Sequence, residues 1–253
     1  MGLDGVAAVV LVGLFGLAFG SFLTVVIHRV PRGESVVQPG SRCPECRTPL
    51  APYDNIPVAS WLALGGRCRT CQEPIPARYV LAELGTATLF VVVALRLGVD
   101  ADLPAFLTVF FLVTAAAVIE WRSGQVPLRV ASAAAAAALF ALVLAAAVDQ
   151  DWSRLGRGLV GAAASGAGVW LALCAARKLD AAAVVLGALT GLALAWAGWR
   201  NLAVGAVTAL LVVAAGRLAR SRRHHSADHG VRGGPAAAVG VGLVVGTLVL
   251  HWS

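Results

Sequence analysis

The sequence predicts an all-α polytopic membrane protein of about eight transmembrane helices, with one small hydrophilic insert after the first. Three observations carry that fold class. Of 253 residues, 59% are hydrophobic and only 13% are charged, against about 25% charged in a soluble domain. The apolar residues recur in blocks of about 20, the length of helix that crosses the hydrocarbon core of a bilayer. Most of the prolines, and four of the five cysteines, fall instead in a single segment between the first and second blocks. This composition argues against a water-soluble enzyme, and it excludes a disordered chain, which needs low hydrophobicity and high net charge.

The first block, about Val6 to Ile27, forms the first span of a 1–28 segment. Acidic Asp4 stands where a secretory signal would carry basic residues, and the apolar run continues past signal length, so an uncleaved helix is expected. The insert occupies 29–77. Seven further spans follow, at about Tyr79–Leu95, Leu103–Ile119, Val126–Val148, Leu159–Ala176, Ala181–Trp199, Leu202–Leu218 and Pro235–His251, making a helical membrane domain of 78–253. They are rich in Gly and Ala, which let membrane helices approach closely. Cys174, in an apolar run, reads as a packed thiol. Trp121, Trp152, Trp196, Trp199 and Trp252 fall near span ends, as an interfacial belt requires.

Charge sets the expected orientation. With the N-terminus outside, 16 of the 20 Lys and Arg residues lie in inside segments, leaving Arg96, Arg154, Arg157 and Arg200 outside. Asp100, Asp102, Asp149 and Asp151 join those four. Positive residues concentrate on the cytoplasmic side of membrane proteins, so the insert is expected in the cytoplasm. The basic excess suits loops facing anionic lipid. No aromatic-interleaved basic patch of the kind that stacks bases is present, and nucleic acid is not an expected partner.

Within the insert, Cys43-Pro44-Glu45-Cys46 and Cys68-Arg69-Thr70-Cys71 form a C-x2-C-x21-C-x2-C pattern. Two such turns can present four thiolates to one tetrahedral ion, and a small insert without a large core gains stability from it. Structural zinc on Cys43, Cys46, Cys68 and Cys71 is the expectation. A redox pair and a metal-free, reduced insert are the alternatives. Four protein ligands leave no open coordination position, so no catalytic role is assigned to the site.

About seventy contiguous residues then resemble a known family. The run Gly20-Ser21-Phe22-Leu23-Thr24-Val25-Val26-Ile27-His28-Arg29-Val30-Pro31-Arg32-Gly33-Glu34-Ser35 looks like the start of bacterial prepilin peptidases, the type IV leader peptidase/N-methyltransferases. The likeness continues through both cysteine pairs, Tyr53-Asp54-Asn55-Ile56-Pro57-Val58-Ala59-Ser60-Trp61-Leu62, Pro74-Ile75-Pro76-Ala77-Arg78-Tyr79 and Glu83-Leu84. The resemblance implies an eight-helix, multi-pass protein of the bacterial inner membrane. It implies an aspartic-type peptidase that removes the basic leader of a type IV pilin or type II secretion pseudopilin precursor. It further implies methylation of the new amine with S-adenosylmethionine, associated with the cysteine-containing loop. Such a precursor arrives through the lipid bilayer. Oligomeric state is not implied.

A peptidase of this kind uses two nearby carboxyls, one ionised to activate water and one protonated to polarise the scissile carbonyl. The family takes them from an Ile-Asp segment shortly before an Ile-Pro and from a Gly-x-Gly-Asp-x-Lys-Leu motif. The first is matched by Ile119-Glu120 ahead of Val126-Pro127, with Glu120 replacing the aspartate and moving the carboxylate outward by one methylene. The second is matched only by Arg177-Lys178-Leu179. That alignment puts Ala176 at the aspartate, and the nearest acid is Asp180. Glu120 and Asp180 are therefore the candidate pair. Each has a plainer reading: Glu120 as a helix-end carboxylate paired with Arg122 or Arg177, and Asp180 as the N-cap of the helix beginning at Ala181.

Glu83, one turn into the second span, needs a partner in the membrane, for which Arg78 or a facing helix is the expectation. His224, His225, Asp228 and His229 read as a solvated loop despite their ligand types. A catalytically impaired relative, serving as a substrate-binding or assembly partner, is the competing function. A transporter would need charges or broken helices at mid-membrane, and no acid falls at the centre of any span.

Overall fold

The computed structural model describes residues 3–123, 126–175 and 180–198. The chain divides into two units, Met1–Val99 and Asp100–Ser253. The first holds two long helices, α1 (Leu3–Arg29) and α3 (Arg78–Leu97), and the insert between them, which contributes only the short α2 (Ala59–Ala63) and single 3-10 turns at Val30–Arg32 and Pro52–Asn55.

Glycine decides how α1 meets α3. A Cβ added at Gly16 would lie 2.5 Å from Ala87 Cα, and one at Gly20 would lie 2.5 Å from Glu83 Cα. Gly13 faces the Val91 side chain more loosely, an added Cβ there lying 3.1 Å from Val91 Cγ2. The pairing of 13, 16 and 20 with 91, 87 and 83 makes the two helices antiparallel and backbone-close, as small residues permit in lipid. The remaining faces of α1 carry Leu11, Leu14 and Phe15 outward, a surface fit for acyl chains rather than water.

The second unit runs up and down through α4 (Leu103–Ser123), α5 (Leu128–Asp149), α6 (Trp152–Ala175) and α7 (Ala181–Ala197). Phe106, Val109, Phe110, Val113, Ala116 and Ile119 give α4 a buried stripe at helical spacing. In α5 the buried stripe is Ala131, Ala134, Ala138, Leu142 and Ala145. The most enclosed helix is α7, packed against α4, α5 and α6, with an unbroken buried run from Leu189 to Trp196. Its contact with α6 is again glycine-made: a Cβ at Gly191 would meet Gly161 O at 2.3 Å.

The described residues contain no strand beyond two isolated bridges, in line with the expected all-α class. Five of their helices are long and apolar enough to cross a membrane, and α7 is a shorter apolar helix of 17 residues. The other two expected spans, Leu202–Leu218 and Pro235–His251, lie outside the described residues, as do His224, His225, Asp228 and His229. Boundaries shift most at α6, which begins at Trp152 rather than near Leu159. Two expectations need correction. Cys174 is exposed on α6 rather than packed. Trp196 does lie at a helix end, one residue before the end of α7, but it is 2% exposed and packed among neighbouring helices rather than facing an interface, because α7 is surrounded by other helices along most of its length.

Candidate functional site

The two cysteine pairs sit on two copies of one turn. Arg-Cys-x-x-Cys-x-x-Pro occurs at 42–49 and again at 67–74, a repeat that the cysteine count alone does not reveal. In the first copy, Cys43 N–H donates to Thr48 O at 3.0 Å and Arg47 N–H donates to Cys43 O at 3.0 Å. In the second, Cys68 N–H donates to Glu73 O at 2.9 Å and Gln72 N–H donates to Cys68 O at 3.0 Å. Arg47 and Gln72, each just after the second cysteine, have φ of 58° and 60°. Isolated bridges Arg42–Pro49 and Arg67–Pro74 close both loops.

The turns face each other. All four Sγ atoms lie within 4.8 Å of one another, with Cys43 and Cys71 Sγ 3.8 Å apart. A zinc–sulfur bond of about 2.3 Å in a tetrahedron separates sulfurs by about 3.8 Å. The donor set therefore fits one tetrahedral, thiolate-binding ion, and the cluster of Cys43, Cys46, Cys68 and Cys71 is a candidate metal centre. The thiols are unequal. The Thr48 hydroxyl and backbone pull Cys46 down to about 6. Backbone bonds from Cys71 and Thr70 lower Cys68. At Cys71 a lowering bond from the Glu73 backbone is outweighed by burial and by the neighbouring thiols, which push it up to about 12. Four sulfurs this close cannot all ionise without a cation among them.

The residues around the thiols account for the Tyr-Asp-Asn-Ile-Pro run. Arg69, between the two cysteines of the second turn, donates through Nε to Asp54 Oδ2 at 3.0 Å and through Nη2 to Asp54 Oδ1 at 2.7 Å. Its guanidinium also lies 5.4 Å from the centre of the Tyr53 ring. Asp54 is held below the usual carboxylate range by the Arg69 bond and charge. Trp61 of α2 donates from Nε1 to Ile75 O at 3.0 Å, and Gly66 (φ 69°) lies directly against its indole. Tyr53, Asp54 and Trp61 thus fix the second turn, although none offers a ligand atom.

A cleft of about 280 Å³ opens between α1 and the insert. Phe22 and Val25 form its apolar side, while Ser21, Arg29, Ser41 and Asn55 supply polar groups. Arg29 Nη1 donates to Ser35 O at 3.0 Å, and Ser35 Oγ accepts from Val37 and Gln38 N–H, which shapes the loop along one edge. Glu83 also departs from expectation. It is 8% exposed, and its Oε2 accepts the Val58 N–H at 2.8 Å, so its partner is insert backbone rather than Arg78.

In the second unit, Glu120 ends the buried stripe of α4 and is 4% exposed. Asp180 is the N-cap of α7, its Oδ1 accepting Ala182 N–H at 3.0 Å and Ala183 N–H at 3.2 Å. The plainer reading of Asp180 is thus realised in its geometry. The Arg122 side chain and Arg177, the suggested partners of Glu120, lie outside the description. At the opposite helix ends, sequence reasoning missed a cluster: Arg154 lies 2.7 Å from Asp102, 3.0 Å from Asp151 and 3.6 Å from Asp149. Those acids stand at one expected membrane face, but Asp102 is 52 residues from Arg154 in sequence, so only folding brings them together.

Residues 14–97 match the bacterial peptidase A24 N-terminal domain. Among characterised proteins, the chain is similar to the prepilin leader peptidase/N-methyltransferase of Myxococcus xanthus, 52% identical over 101 residues, covering 40% of this chain and 30% of that protein. It is similar to the protein of the same name from Klebsiella pneumoniae, 42% identical over 120 residues, covering 45% and 53%. The Neisseria gonorrhoeae counterpart is 41% identical over 115 residues, covering 36% and 40%. No solved structure matches. The chain thus spans about half or less of the length of these relatives. The unit that carries the four thiols and the cleft is the part that matches the bacterial peptidase A24 N-terminal domain, and through it the chain is similar to prepilin leader peptidase/N-methyltransferases.

Proposed function

We propose that this chain acts at the bacterial inner membrane on the precursor of a type IV pilin or type II secretion pseudopilin. It removes the leader with the carboxyls of Glu120 and Asp180 and methylates the new amine from S-adenosylmethionine. The observation that carries the reading is the N-terminal unit itself: a family match that includes the four-thiol cluster and the adjoining cleft.

Zinc on the four cysteines has a structural task, because four protein sulfurs leave no position for substrate. It fixes the insert beside the cleft. S-adenosylmethionine supplies an electrophilic methyl group. The cleft suits such a ligand in kind, with an apolar bed, a cation at Arg29 and hydrogen-bonding groups at Ser21, Ser41 and Asn55. Arg29 would hold a carboxylate, and Phe22 and Val25 would keep water from the apolar part.

Leader cleavage is supported by the burial of Glu120 and by the up-and-down order of α4 to α7, which returns α7's first residue to the side where α4 ends. In the proposed step one carboxyl takes a proton from water while the other, protonated, polarises the scissile carbonyl. A second reading, of a relative that binds or assembles precursors without cutting them, is favoured by one observation: Asp180 Oδ1 already serves two α7 amides.

Mass spectrometry of a pilin-like precursor co-expressed with the full chain separates the readings. Cleavage after the leader, abolished by Glu120→Gln and by Asp180→Asn, is the expected result. A precursor that stays full length with this chain, yet is trimmed by a relative carrying both aspartates, sinks the peptidase.

A further inference from the structure

The Glu83 side chain reaches out of the helix pair to one backbone amide of the insert, and that amide belongs to a strained residue. Val58 has φ 59° and ψ −51°, and Ala59 N–H donates back to Pro57 O. This is a γ-turn of the rare, strained hand, built on a β-branched residue for which positive φ is an outlier. Strained backbone persists only where its surroundings hold it. Here Val58 N–H is held by Glu83 Oε2 at 2.8 Å, while Val58 O accepts Leu62 N–H at 3.0 Å and so starts α2.

The turn also forms a wall. Asn55 and Pro57 line the cleft on the insert side, and Ser21, Phe22 and Arg29 line it from α1. Glu83 is packed backbone-to-backbone against α1 at Gly20, the residue beside Ser21. One continuous path therefore joins the two walls: α1 at Gly20, α3 at Glu83, then the turn at Val58.

We infer that Glu83 is a positioning residue, which locks the Pro57–Val58–Ala59 turn to the helix pair and thereby sets the width of the cleft for its ligand. The metal turns stabilise the insert as a body. Glu83 fixes where that body's edge stands relative to Arg29. The role deepens the methyl-transfer reading and rests on it for the identity of the ligand, though not for the latch itself.

The test uses the full, zinc-loaded chain in lipid nanodiscs, with hydrogen exchange at the Val58 amide and binding of S-adenosylhomocysteine as separate readouts. Glu83→Ala is expected to speed exchange by about tenfold or more, the loss of a hydrogen bond to a buried acceptor, and to weaken binding. Glu83→Asp, one methylene short, is expected to behave alike, and it serves should the alanine variant fail to fold. Glu83→Gln keeps an acceptor oxygen and is expected to restore both protection and binding. Val58→Gly added to Glu83→Ala is expected to recover binding, because glycine adopts positive φ without strain. Plain loss of packing at Glu83 would not be repaired by Val58→Gly. Unchanged exchange in both Glu83→Ala and Glu83→Asp, or no recovery with Glu83→Gln, overturns the latch. If exchange follows expectation but the parent chain does not bind S-adenosylhomocysteine, the latch stands and the methyl-donor reading falls.

Discussion

Asp54 and Arg69 show how much of the insert rests on one ion pair placed among thiols. The bidentate contact orients the loop between Cys68 and Cys71, in the manner of outer groups that hold metal ligands, whose loss typically weakens metal affinity by about 10- to 100-fold. Asp54→Ala is accordingly expected to speed zinc loss to a chelator, read by a colorimetric indicator, without removing any ligand. The pair also gives a pH dependence with a definite sign. Arg69 lowers the Asp54 carboxyl in the folded state, so its stabilisation is present above the ordinary carboxylate range and is lost as pH falls through the lowered value. Acid unfolding followed by Trp61 fluorescence is expected to differ between parent and Asp54→Asn at neutral pH and to converge at low pH. Curves that stay parallel throughout would remove the ion pair from the account. At Cys43 the outcome is simpler: Cys43→Ser is expected to abolish stoichiometric zinc, measured by elemental analysis.

At the scale of elements, glycine sets the helix pairs. Gly16 and Gly20 on α1, and Gly161 and Gly191 between α6 and α7, occupy positions where a Cβ would fall 2.3–2.5 Å from facing atoms, well inside contact distance. Gly16→Val is expected to lower the thermal midpoint of the N-terminal unit, with a cost of about 1–3 kcal/mol for overpacking. The same change at Gly156, where nothing lies within 4 Å, is the control. Helix ends give a second element-scale prediction. Arg154 ties the start of α4 to the end of α5 and the approach to α6 through three carboxylates. Its partial exposure limits each contact to well under the value of a buried pair, about 0.2–1 kcal/mol. Arg154→Ala is expected to lower the midpoint modestly at low salt and much less at high salt. A salt-independent loss would mean that Arg154 acts by packing.

For the whole molecule, orientation is the open quantity that charge predicts. With the insert in the cytoplasm, Cys46 and Cys71, which are exposed, are expected to react with a membrane-impermeant maleimide only after inner-membrane vesicles are turned inside out and zinc is chelated. Labelling from the periplasmic side of intact spheroplasts would reverse the topology.

Composition by itself determined the class of molecule, because apolar blocks of bilayer length have few other uses. Local spacing determined the thiol cluster, since each C-x2-C turn is made by its own neighbours and needs only one long-range meeting. The Asp180 cap was readable for the same reason: a cap is a contact over three residues. Tertiary structure alone decided the partner of Glu83, the burial of Trp196, the exposure of Cys174 and the gathering of Asp102, Asp149 and Asp151 on Arg154. Each depends on which helix face meets which neighbour. In a chain whose helices are apolar nearly all round, periodicity does not reveal that face; backbone contact at a few glycines does.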